Sequence, residues 1–228
     1  MRRVLAASVL CLASHAALAV PVTVSTAPGG LFQNGSQNVT VTFTQGATTK
    51  TVAAAAGQFA INVSNIAGTV YAYCIDILNN LNLPNSYDLG TLPTNTSLSA
   101  LKVGQITYLL KTALVNSAQS SAALQLAVWE VVYESSNTYD VTKGAFKETT
   151  GASADAAANA LLAGLNNFTL ASGDTTRVLT PVPVAGSQQL AFYTNTGGNP
   201  ATVPEPASLA VLGLGLLGLG ALRRRTFR

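Results

Sequence analysis

Histidine is almost missing from this sequence: of 228 residues only His15 is one, and it lies in the first 19. Without it the remaining chain can form neither a Ser–His nor a Cys–His nucleophile pair, nor a histidine metal site. Cysteine is nearly as scarce. Cys11 shares the amino-terminal segment with His15, which leaves Cys74 alone in the body, so no internal disulfide can form there. Charge is the third shortage, at 9% of residues. Between Val20 and Val203 the bases are Lys50, Lys102, Lys111, Lys143, Lys147 and Arg177. They face eight acids: Asp76, Asp88, Glu130, Glu134, Asp140, Glu148, Asp155 and Asp174. The body is thus slightly acidic, and no basic patch remains to engage nucleic acid.

What is plentiful is apolar sequence, and its longest runs stand at the two ends. Met1–Ala19 has Arg2 and Arg3, an apolar run from Val4, and Ala17-Leu18-Ala19 as a small-x-small exit. These are the parts of a secretory signal peptide, and cleavage is predicted after Ala19, carrying His15 and Cys11 away. Leu10 stands where a lipid-attachment motif around Cys11 would need a small residue. At the other end Val203-Pro204-Glu205-Pro206 leads into an unbroken run of Ala, Ser, Leu, Val and Gly from Ala207 to Leu222, followed by Arg223, Arg224, Arg225 and Arg228. As a helix the run is about 24 Å long, thin for a bilayer core of roughly 30 Å. Arginines are retained on the cytoplasmic side, which places the body outside.

The tail resembles the PEP-CTERM sorting signal, built from a Pro-Glu-Pro motif, a short Gly/Leu-rich span and an arginine cluster. Pro204, Glu205, Pro206, Arg223, Arg224 and Arg225 carry the resemblance. It implies a Gram-negative envelope, a transmembrane segment at 207–222, and recognition by an exosortase-type transpeptidase. Inner-membrane anchoring would then give way to release at the cell surface or into the extracellular matrix.

The body, 20–193, predicts an α+β fold: an antiparallel β-sandwich or barrel-like sheet with a helical insertion at about 97–166, then a polar stalk at 194–203. Val39, Val41 and Phe43 alternate with threonines, and Phe59, Ile61 and Val63 alternate with Ala60 and Asn62. Such period-two patterns belong to strands with one buried face. Turns are predicted at Pro28-Gly29-Gly30, Asn34-Gly35 and Ala67-Gly68, and a strand from Gly68 to Ile77 presents Cys74. Helices are predicted behind a cap at Ser97 or Ser99, from about Ala118 to Glu134, and from Ser153, itself the cap, to about Leu165. Strand signals return at Arg177–Val184 and Gln189–Tyr193.

The second of these helices is apolar on almost every side. Glu130 and Glu134, four apart, predict its one solvated stripe. Gln125 shares a face with Val128, Trp129 and Val132, and a glutamine buried there needs a partner. Cys74 is the other residue without an obvious purpose. Tyr73-Cys74-Ile75 followed by Gln125-x-Ala127-Val128-Trp129 resembles the thioester-domain family of bacterial surface adhesins, with Leu124 standing where that family carries threonine. The resemblance spans the body, though only the two short motifs are specific. It implies an internal thioester joining Cys74 and Gln125, 51 residues apart, that acylates amines on a surface or matrix target. Tyr73, Ala127, Val128 and Trp129 support the motif, and Asp76 is a candidate to orient the thioester or its attacker. No metal, cofactor or turning-over enzyme is expected. The rival expectation is a structural matrix or exopolysaccharide-associated protein whose cysteine stays free and buried.

Overall fold

The computed structural model describes residues 20–92 and 98–195. Its strands are β1 (Val20–Thr26), β2 (Phe32–Gln45), β3 (Thr48–Val63), β4 (Ile66–Cys74), β5 (Asn85–Thr91), β6 (Phe146–Glu148), β7 (Asp174–Pro181) and β8 (Leu190–Asn195). Helices α1 (Ala100–Thr112), α2 (Ala118–Tyr133) and α3 (Asp155–Ala163) lie between β5 and β7, so the helical insertion falls where the periodicity changes.

All pairings are antiparallel, in the order β1-β5-β7-β8-β4-β3-β2-β6, and β1 also pairs with β3. That extra pairing closes six strands into a ring, so the sheet is barrel-like rather than a sandwich. Closure leaves none of those strands with a whole edge open to a foreign chain. β1 and β2 follow one another along the same edge of β3: Val24 stands opposite Val63 and Thr26 opposite Ile61, after which β2 takes over at Phe32 and Phe59. The register puts Val22, Val24, Ile61, Val63, Tyr87, Leu89, Leu179 and Leu190 on one face, and all are buried. Each such side chain contributes roughly 1.5–3 kcal/mol by leaving water.

Several local expectations are corrected. Asn34-Gly35 is not a turn but an irregularity of register inside β2, where Gly35 takes a φ of 83°. The turn before β4 is Ser64-Asn65, and Gly68, at φ 78°, lies within the strand. A glycine's access to positive φ serves a bulge as readily as a turn, so sequence alone does not separate the two. β5 was not foreseen, since Asn85, Ser86, Asp88 and Gly90 are poor strand formers; pairing with β1 and β7 on either side overrides them. Ser99 does cap α1, accepting a hydrogen bond from the Lys102 N–H. Ser153 does not cap α3, which starts at Asp155 without a side-chain cap; its hydroxyl instead accepts from Gln37.

Among the described residues no helix is long and apolar enough to cross a membrane. The predicted signal at 1–19, the span at 207–222, the sorting residues and all of the stalk beyond Asn195 lie outside the described residues; Thr194 and Asn195 end β8.

Candidate functional site

α2 positions the site. Ser117 and Ser120 form a reciprocal capping box at its start, and every residue from Ser121 to Val131 is buried. One stripe of the helix, at four-residue spacing, carries polar atoms to backbone groups of the sheet and of the turn after β4. The Ser121 hydroxyl accepts from the Gln58 N–H at 2.6 Å, and the Tyr133 hydroxyl accepts from the Ile77 N–H at 3.1 Å. Between them stand Gln125 and Trp129.

Gln125 meets Cys74 at two points. Its Oε1 accepts from the Cys74 N–H at 2.9 Å and its Nε2 donates to the Cys74 carbonyl at 2.8 Å. The reason lies in the ladder: β3 and β4 part company after the Phe59–Ala72 pair, so the next backbone groups of β4 on that side lack a strand. The glutamine amide, itself a peptide analogue, takes the missing place. Both residues are wholly buried.

The Cys74 thiol donates to the Asp76 backbone carbonyl at 3.1 Å. Burial pushes its pKa up to about 12, against smaller lowering effects from that carbonyl and from Trp129 beside it. The Trp129 indole N–H is buried and reaches no hydrogen-bond partner. Its influence on the thiol is therefore one of proximity rather than of a formed bond. A cleft of about 280 Å³ opens between Val52–Ala55 of β3 and the stretch from Ile77 to Leu81, and reaches both Cys74 and Trp129.

The other predicted residues divide. Ala127 and Val128 fill the interface beneath α2, and Tyr73, the neighbour of Cys74 on its strand, is buried on the opposite side of β4. The Asp76 carboxylate accepts from the Leu78 N–H and the Asn79 side chain, bracing a turn; only its backbone carbonyl touches the thiol. Ser121 and Tyr133 were not singled out by sequence, although their four-residue spacing about Gln125 and Trp129 is the signal that could have found them.

The predicted solvated stripe is wrong. Glu130 is 0% exposed and Glu134 3%. The chain after the helix folds back over them: Glu134 accepts from the N–H groups of Ser135, Ser136, Ala145 and Phe146, while Asp140 N–H donates to Glu130. Burial pushes Glu134 up, but those four donors outweigh it and hold it below the ordinary carboxylate range. Glu130 has one donor and an unpartnered Oε2, and burial raises its pKa to about 8. Lys102 sits nearby, its ammonium donating to the Val132 and Glu134 carbonyls at the end of α2. Among the described residues no group of three His, Cys, Asp or Glu side chains could hold a metal ion.

Residues 202–225 match the model of the PEP-CTERM protein-sorting motif. The chain carries a PEP-CTERM sorting signal. That signal marks an exported surface protein, anchored in the membrane before processing and recognised by an exosortase. Among solved structures the PEP-CTERM protein is similar to the N-terminal thioester domain of a surface protein from Clostridium perfringens, with 13% identity and a TM-score of 0.40, over 60% of this chain and 89% of that one. No curated protein matches it.

Proposed function

We propose that Cys74 and Gln125 form an internal thioester with which this exported protein acylates amines on a surface or matrix target, as a single-use covalent adhesive. The observation that carries the reading is the two-point grip of the Gln125 amide on the Cys74 backbone, which holds a carboxamide against the residue that bears the buried thiol. In the first step sulfur adds to the Gln125 side-chain carbonyl carbon. The C–S bond forms, the C–N bond breaks, and the thiol proton leaves with ammonia. In the second, an incoming amine attacks the same carbon, the new amide forms, the C–S bond breaks and a proton returns to sulfur.

Burial suits such a group. Excluded water cannot hydrolyse it, and a thiol whose pKa is about 12 is a poor leaving group until a proton or a hydrogen bond reaches the sulfur. The Trp129 N–H, unpartnered beside that sulfur, is the available donor. The cleft along β3 is the route by which an amine would arrive.

A second reading has its own observation: both polar atoms of the Gln125 amide are hydrogen-bonded to Cys74, as a purely structural clamp requires. Intact mass separates the two. Freshly prepared protein should be lighter than its sequence by one ammonia, and methylamine should then add at Gln125 and release the Cys74 thiol. Cys74→Ala and Gln125→Ala should each abolish the mass loss. A full sequence mass with a stoichiometric free thiol would establish the clamp instead.

A further inference from the structure

Strand β4 has a second working face. Side chains alternate along a strand, so Tyr71 and Tyr73 point away from the side that holds Cys74. They line a groove of about 370 Å³, where Gln58, Thr69, Tyr193 and Thr194 join them. A second depression of about 360 Å³ shares Gln58, Tyr71 and Leu110 with the first and extends it to Gln33 and Asn34. No charged side chain lines either one.

Three features of the groove ask for an occupant. Tyr71 is 45% exposed on a strand whose other aromatic, Tyr73, is 2% exposed. The Tyr73 hydroxyl is buried without a hydrogen-bond partner: Gln58 lies close enough to perturb it but does not bond it. The Thr194 hydroxyl, on β8 across the groove, is unpartnered as well. Buried hydroxyls are ordinarily paired, so two orphans at one groove mark a place for a ligand that carries donors and acceptors of its own.

We infer that this groove binds a neutral saccharide. The apolar face of a sugar ring would pack on the exposed Tyr71 ring, while its hydroxyls exchange hydrogen bonds with Tyr73, Thr194 and the Gln58 amide. An anionic ligand would find no cation there, and a purely apolar one would leave both hydroxyls unpaired. Because the groove and the Cys74 cleft lie on opposite sides of β4, saccharide binding is independent of the thioester.

The test is a titration of the exported protein with maltose, cellobiose and lactose as neutral probes, followed by saturation-transfer NMR and calorimetry. At least one should bind saturably. Tyr71→Ala should weaken that binding about tenfold through the lost ring contact. Thr194→Val, which exchanges a hydroxyl for a methyl at nearly constant shape, should weaken it about three- to tenfold. Circular dichroism of both variants checks that they fold. If none of the three sugars binds saturably, or if neither substitution weakens the binding, the inference is overturned; the titration reads sugar and not amine addition, so that outcome leaves the thioester reading untouched.

Discussion

Gln125 and Glu130 lie five residues apart on α2, both wholly buried, and the interior treats them differently. The amide is neutral and finds both its partners on Cys74. The carboxyl finds one, and its pKa of about 8 means the folded state keeps a proton that the unfolded chain gives up near 4.5. A raised carboxyl contributes most below the unfolded value, so stability should fall as pH rises from about 4.5 to about 8, by up to about 1.4 kcal/mol per pH unit. Asp140 and Asp174 are depressed and act with opposite sign, but only as pH falls below their ordinary 3.8, outside that window. Glu130→Gln should therefore flatten the decline and be more stable than the parent above pH 8, as measured by urea denaturation across the range. A parent protein whose stability does not decline over that interval would refute this account of Glu130. Two glutamates four apart read as a wet face because that spacing is common on exposed helices. Only the return of residues 135–148 over them decides otherwise, and nothing local to Glu130 or Glu134 announces it.

At the scale of elements, α2 acts as much like a strand as a helix: it answers backbone groups that the sheet leaves open. Ser121 takes the Gln58 N–H where β2 is irregular, and Gln125 takes Cys74 where β3 and β4 diverge. Ser121→Ala should strand the Gln58 N–H in a part-buried site and cost about 1–3 kcal/mol in a denaturation experiment. A loss well under that range would mean water replaces the hydroxyl. The helix itself was legible, since its apolar run and serine start are local properties; observed and predicted ends differ by a single residue, Tyr133 against Glu134. The pairing of Cys74 with Gln125 was legible only through resemblance to a family motif. Their contact spans 51 residues, and no periodicity within either element brings them together.

At the scale of the whole molecule, the sorting signal at 202–225 bears on where the protein goes rather than on how the barrel folds. If an exosortase removes the tail, protein recovered from the cell surface should lack Arg223, Arg224 and Arg225, while an unprocessed precursor in the inner membrane retains them; carboxy-terminal peptide mass spectrometry reads this directly. Intact arginines on all of the cell's protein would leave simple anchoring in its place. The sorting signal was readable from sequence because recognition of it depends on composition and order: a Pro-Glu-Pro step, an apolar run, a cationic end. The helices and all strands but β5 and β6 were readable for a related reason, since burial of one face imposes a period of 2.0 or 3.6 on a chain. Sequence could not choose between sandwich and barrel, because closure depends on whether β1 reaches both β5 and β3, a matter of twist and register summed over six strands. Nor could it foresee Glu130 without solvent, Asp76 turned aside from the thiol, or the tyrosine groove behind Cys74. Each arises where segments far apart in the chain meet, and burial and hydrogen bonding are properties of that meeting rather than of either segment.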